Sequence, residues 1–283
     1  MVGQHRSSQR YVPMPDDFEA RLVKEMNRLA EEHPRWGYRQ IHRLLVEDGW
    51  LVNRKRIERL WRLEGHRVPP SKSKNSGKKA GGGAENSIWN LPAVYPDHIW
   101  SFDFMTDRTS DGIPFRILNI VDEYTRRCVE SYVARNIGAR RVAQVLERVF
   151  ATVGKPKIIR SDNGREFIAE TLAEWLTEQG VASAFVAKGS PAQNGICERF
   201  NGSMRRECLN AEEFHDILEA RVVIGAWRLE YNTVRPHRGL GGKTPAAFAA
   251  EAARSRRGPA RFDDAEGTEP PKPARRRQPR RRR

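Results

Sequence analysis

Two short apolar stretches of this chain each carry a single aspartate where a strand should run. Asp103 lies in Ile99-Trp-Ser-Phe-Asp-Phe-Met105, and Asp162 follows Lys157-Ile-Ile-Arg-Ser161 at an Asn163-Gly164 turn. Both stretches are rich in β-branched or aromatic residues and closed by turn signals, so both are predicted as strands. An acid held in such surroundings is costly unless it is paired or coordinates a metal. A third acid, Glu198, lies in residues 190–209, SPAQNGICERFNGSMRRECL. Ser190 can cap a helix and Pro191 suits its first turn, so a helix is expected over 192–209. Ile196, Phe200 and Met204 would form its apolar stripe, and Asn194, Glu198, Asn201 and Arg205 a polar one. One glutamate on one helix is ordinarily part of a solvated face. Set beside two strand-borne aspartates, it completes a trio of hard oxygen ligands suited to magnesium or manganese.

The remaining elements predicted between residues 86 and 250 agree with a layered domain. Strands are expected at 99–105, 115–121, 128–133, 157–161 and 182–186. Helices are expected at 139–152, 171–179, 192–209 and 212–232, with a further helical stretch at 249–257. Three strands joined by short turns, followed by alternating helices and strands, describe a mixed α/β sheet covered by helices. Asp107, Asp122 and Glu123 lie near these strands and read as structural or turn acids. Glu166 follows the Asn-Gly turn and reads as a supporting residue.

The first 68 residues read as a separate small helical domain. Phe18, Leu22, Met26 and Leu29 mark a helix from residue 16 that ends before His33-Pro34. A second covers 39–47, and Asn53 caps a third over 54–64. The last places Ile57, Leu60 and Trp61 inward and leaves Arg54, Arg56 and Arg59 outside, a helix-turn-helix candidate with a basic face. These three arginines are candidate DNA contacts, to phosphates more than to bases. Residues 69–85, rich in Lys, Ser and Gly, are expected to form a flexible basic linker. Residues 251–283 are expected to be a disordered basic tail.

Charge supports a polyanionic partner. The 283 residues carry Lys+Arg 51 against Asp+Glu 36, a net +15, which favours nucleic acid. Eight of those positive charges lie in residues 272–283, leaving +7 for the rest. The three cysteines, Cys128, Cys197 and Cys208, are scattered, which fits a reducing compartment and neither a disulfide framework nor a zinc site. No apolar run approaches the ~18 residues of a membrane span, and no signal peptide is evident. A cytoplasmic protein is expected.

The acids and their surroundings resemble the D,D,E triad of the retroviral integrase and transposase superfamily. Thirty-five residues separate Asp162 from Glu198, the spacing of the D,D(35)E pattern. Asp162-Asn-Gly-x-Glu166-Phe167 and Ser190-Pro-x-x-Asn194-x-x-x-Glu198-x-Phe200 match its flanking motifs. Tyr231-Asn-x-x-Arg235-Pro-His237-x-x-Leu240-Gly241-x-x-Thr244-Pro245-x-x-Phe248 resembles the signature of second-frame transposases from two-frame bacterial insertion sequences.

That resemblance implies a ribonuclease H-like core with a mixed five-stranded sheet, preceded by the small all-α helix-turn-helix domain. It also implies that Asp103, Asp162 and Glu198 are the catalytic residues and ligate two Mg2+ or Mn2+ ions. The implied activity is cleavage at the element's ends followed by strand transfer. Asn194, Arg205, Arg235 and His237 are further candidate DNA contacts, although a local structural bond fits His237 equally well. Implied partners are element ends and target DNA, further copies of the chain, and a first-frame protein bearing its own helix-turn-helix and zipper. Localisation would be bacterial cytoplasm, at the nucleoid. The rival readings are a noncatalytic element-derived repressor and a ribonuclease H-type hydrolase.

Overall fold

The computed structural model describes residues 17–68, 91–161, 170–185 and 195–257. Asp162, Glu166 and Asn194, the expected 69–85 linker and the tail from 258 onward lie outside these described residues.

Three helices open the described chain: α1 (Asp17–Glu32), α2 (Tyr38–Glu47) and α3 (Arg54–Leu63). Leu22, Met26 and Leu29 recur on one face of α1 and bury against Ile41, Leu45, Ile57 and Trp61. Asn53 accepts a hydrogen bond from the Lys55 amide at 2.9 Å, which fixes the start of α3 as its sequence implies. Gly49, at φ +89°, makes the turn after α2 in a conformation that favours glycine.

The second unit is built on a sheet of β1 (Ile99–Arg108), β2 (Pro114–Asp122), β3 (Cys128–Ala134), β4 (Ile158–Ser161) and β5 (Ala182–Phe185). The strand order is β3-β2-β1-β4-β5. β1 pairs with β2, and β2 with β3, antiparallel, whereas β1 pairs with β4, and β4 with β5, in parallel. This is the mixed five-stranded sheet of a ribonuclease H-like fold. Helices α4 (Ala139–Thr152) and α5 (Glu170–Glu178) cover one face. The other is covered by α6 (Gly195–Met204), which continues as a π-helical turn through Leu209, and by α7 (Ile217–Thr233). A 3-10 turn (Arg238–Leu240) then leads to α8 (Pro245–Arg257).

The period of two along the strands sorts their side chains between these layers. Trp100, Phe102, Leu118 and Ile120 point to the α4/α5 side, and Met105, Ile117 and Val121 to the α6/α7 side. Asp103 and Asn119 therefore fall on the α6/α7 side, in the same register pair.

Several element ends differ from expectation for local reasons. α7 starts at Ile217 rather than 212 because Asp216 accepts from the amides of Leu218 and Glu219 at 2.7 and 2.8 Å. α8 starts at Pro245, where proline costs nothing in a first turn and Thr244 accepts from the Ala247 amide at 3.2 Å. It runs to Arg257, into the stretch expected to be tail. The helical domain touches the sheet domain through His33 and Glu230 at 2.9 Å and through Arg35, which donates to the Asn210 carbonyl at 3.1 Å. No described helix is long and apolar enough to cross a membrane.

Candidate active site

A row of polar side chains crosses the sheet beneath α6. Asp103 on β1 pairs in register with Asn119 on β2, and Asn119 with Ser131 on β3. Ser131 Oγ donates to Asn119 Oδ1 at 2.7 Å, and Asn119 Nδ2 donates to Asn201 Oδ1 at 2.7 Å. Asn201 Nδ2 then donates to Asp103 Oδ2 at 2.7 Å. Asp103 Oδ1 accepts from the Phe104 amide at 2.8 Å. Asn119 and Asn201 are buried, so each must use its amide fully. The direction of donation is uniform, ending on the aspartate. Neutral donors orient and stabilise a carboxylate without supplying the positive charge that would neutralise it.

Asn201 also places Glu198. The two lie three residues apart on α6, a spacing that makes them neighbours on the helix surface. The Asn201–Asp103 bond thus holds the turn bearing Glu198 against the strand bearing Asp103. Glu198 is exposed and has no hydrogen-bond or ion-pair partner among the described residues. β4 brings the chain toward the same point, since Ser161, the residue before Asp162, pairs with Phe102, the residue before Asp103. Asp162 itself is outside the described residues. Among those described, no three acidic, His or Cys side chains form a metal-binding group.

Asn201 departs from its expected place on an exposed polar stripe. The buried face of α6 includes Asn201 beside Cys197, Phe200, Ser203 and Met204, because Asp103 and Asn119 offer it partners. The clue available in sequence was Asn119, a lone amide among the apolar residues of its strand. After Met204 the helix widens into its π turn. Arg205, at that junction, donates to Asp107 at 2.7 Å and to the Thr106 carbonyl at 2.6 Å, binding the helix to the far end of β1.

The other candidates have specific places. Arg235 makes two hydrogen bonds of 2.6 Å to the buried carboxylate of Glu207. His237 is buried, with its ring edge-on to Tyr231 at 4.6 Å. Burial, followed by the charge of Arg235, lowers its pKa to about 3, so the ring is neutral. Both groups pack beside α7, Arg235 on Glu207 and His237 on Tyr231. Arg56 and Arg59 each reach Glu19 of α1 at 2.8 Å, while Arg54 is exposed at the start of α3. Asp122 and Glu123 are structural, as expected. Asp122 accepts from the amides of Tyr124 and Thr125, closing the turn after β2. Glu123 accepts from Ser101 and pairs with buried Arg160 at 2.8 Å. Burial pushes both carboxyls above the usual carboxylate range. All three cysteines are buried and form no disulfide.

Comparison with known proteins agrees with this arrangement. Residues 93–191 and 179–245 match two models described as integrase core domain, and residues 17–74 match an HTH-like domain. An insertion element IS407 uncharacterized 31.7 kDa protein of Burkholderia multivorans is 37% identical over 264 residues, covering 93% of both chains. The chain belongs to the insertion-sequence transposase family. A further relative is the transposase for insertion sequence element IS904 of Lactococcus lactis, 26% identical over 80% of this chain and 92% of its own length. The fold is shared with a chain of the simian T-cell lymphotropic virus intasome in complex with PP2A regulatory subunit B56 gamma. That match has a TM-score of 0.51 and 16% identity, covering 64% of this chain and 62% of the other. The sheet and HTH-like unit described above are thus those of an insertion-sequence transposase with an integrase core.

Proposed function

We propose that the chain cuts DNA at the ends of its element and joins the resulting 3′ ends to target DNA, with Asp103, Asp162 and Glu198 as the catalytic carboxylates. The observation that carries this reading is the 2.7 Å bond from Asn201 to Asp103, which ties the helix turn of Glu198 to the strand of Asp103. The donor set fits Mg2+ or Mn2+, since carboxylate oxygens are the ligands these hard ions take. Two such ions, when bound, would supply an activated attacking oxygen and stabilise the departing one.

The chain's own residues supply position. Asn201 orients Asp103, backed by Asn119 and Ser131, and Arg205 fixes the π turn beside the end of β1. In the first step a water oxygen bonds to phosphorus as the phosphorus–3′-oxygen bond at the element end breaks. The products are a 3′-hydroxyl on the element and a 5′-phosphate on the flank. In the second, that 3′-oxygen bonds to a target phosphorus while the target's own 3′-oxygen leaves with a proton, so no protein–DNA bond forms. Two ends must be joined together, so further copies of the chain take part, with a first-frame partner completing the assembly.

The test incubates the DNA flanking the coding region with protein and Mg2+ or Mn2+ and resolves the products on a sequencing gel. Cleavage at a defined end with joined product, both lost in Asp103→Asn, Asp162→Asn and Glu198→Gln, is the expected outcome. Near-normal joining by any of the three would remove that residue from the assignment. Binding without cleavage, by the chain alone and with its first-frame partner, would instead favour a repressor.

A further inference from the structure

A cleft of about 710 Å³ lies where the helical domain meets the loop after α7. Arg39 and Arg43 of α2 and Arg54 and Lys55 of α3 line one wall, and Arg238 lines the other. No carboxylate is among the lining residues. Every one of these five side chains belongs to an exposed residue.

The acids near α3 have their ion pairs outside the cleft, although the charges of Glu58 and Glu47 also reach Arg39 and Arg43. Glu19 pairs with Arg56 and Arg59, and Glu58 with Arg62. The cations of α3 therefore divide into two sets. Arg56, Arg59 and Arg62 have protein partners, whereas Arg54 and Lys55, at the helix start, have no acidic partner among the described residues. Like charges gathered in a cleft raise its potential and draw in anions. The walls are also held together: Arg43 Nη2 donates to the Gly241 carbonyl at 2.9 Å. Gly242, at φ +91°, packs so closely on that guanidinium that a Cβ would sit 2.4 Å from its Nε. The backbone conformation favours glycine there, and any larger residue would push the Arg43 guanidinium aside.

We infer that this cleft binds the sugar–phosphate backbone of duplex DNA, so that one DNA segment is gripped jointly by the helical domain and the core. The inference rests on the reading of the chain as a DNA-cutting enzyme but assigns contacts that reading does not. It keeps Arg54 on the helical domain's DNA-facing side, replaces Arg56 and Arg59 with Arg39 and Lys55, and adds Arg238 from the core. Arg54, Lys55 and Arg238 have no side-chain acceptor among the described residues, and Arg39 has the Tyr38 hydroxyl at 3.2 Å; such cations suit a row of phosphates, which they contact regardless of sequence. The junction placement gives DNA a second effect, since a strand bridging the walls would hold the two domains in one orientation.

The experiment is fluorescence anisotropy with a labelled duplex of the DNA flanking the coding region, at a series of KCl concentrations without divalent metal. Each phosphate contact removed lowers the slope of log K against log salt by about 0.9. Arg238→Ala should show about that loss and weaken binding several-fold at moderate salt. The Arg39→Ala/Arg54→Ala pair should lose about 1.8. Arg148→Ala, on α4, should match wild type, and thermal melting should confirm that all the variants are folded. Unchanged slope and affinity in folded Arg238→Ala would overturn the joint site. So would a loss in Arg59→Ala with none in Arg238→Ala, or equal competition by single-stranded DNA. The two proposals fail separately. A wild type that binds through the cleft but never cuts refutes the cutting reading alone, whereas one that cuts while Arg238→Ala binds normally refutes the cleft alone.

Discussion

Two acids on neighbouring parts of the sheet are treated in opposite ways. Glu123, just after β2, is buried against Ser101 and Arg160, and the guanidinium answers its charge. Asp103 is half-buried on β1 and accepts from an asparagine amide and a backbone N–H. The first arrangement matches charge to charge and closes the site to anything else. In the second, two neutral donors orient a carboxylate, an arrangement that would suit a cation arriving from outside. Under the proposed function, the charge of an acid's partner, more than its burial, separates the working acid from the structural one.

The sharpest way to break that comparison is to remove Glu123. Glu123→Ala leaves the Arg160 charge buried without its carboxylate and should cost about 3–5 kcal/mol, read as a lower midpoint in urea. If stability barely changes, Arg160 has another acceptor for its charge and the two acids are less different than they look.

Asn201 probes the other side. Asn201→Ala should lower joining about 10- to 100-fold, as for residues that orient metal ligands, and raise the Mn2+ concentration needed for half-maximal activity. A merely structural role would lower stability without moving that metal requirement. An unchanged requirement would therefore remove Asn201 as the residue that positions Asp103.

A smaller effect comes from His237, buried with no acidic partner among the described residues. Its folded pKa of about 3 lies below the ordinary value of 6.5. Between those values the unfolded state binds more protons, so stability rises with pH through this window and falls as pH drops from 6.5 toward 3. The contribution is at most about 1.4 kcal/mol per pH unit. His237→Gln should remove that component of the slope in denaturant titrations at several pH values. Identical slopes would mean that the ring is protonated in the folded protein.

Much of this organisation is legible in sequence. The α4 helix has its expected ends at Ala139 and Thr152, because apolar spacing sets them. Asn53 caps α3 and Asp103 sits in a strand for equally local reasons. Properties set by residues distant in sequence are not legible in that way. Arg56 and Arg59 read as a free basic face, yet Glu19 lies 37 and 40 residues away along the chain and pairs with both. Arg235 similarly finds Glu207, 28 residues earlier. Asn201 turns inward because of Asn119, 82 residues earlier, although helical periodicity groups it with Glu198. Periodicity assigns a face, but partners decide whether a polar residue on it is buried.

The most direct measurement sets the two acids side by side in one joining assay. Asp103→Asn and Glu123→Gln would be compared with wild type on flanking DNA in Mg2+, with rates normalised to the folded fraction from circular dichroism. Asp103→Asn should lose joining by about a thousand-fold or more, as when a group acting at the reacting centre is removed, while keeping wild-type stability. Glu123→Gln should lose stability and retain most of its activity per folded molecule. Joining that survives in Asp103→Asn, or disappears in well-folded Glu123→Gln, would contradict that division of roles.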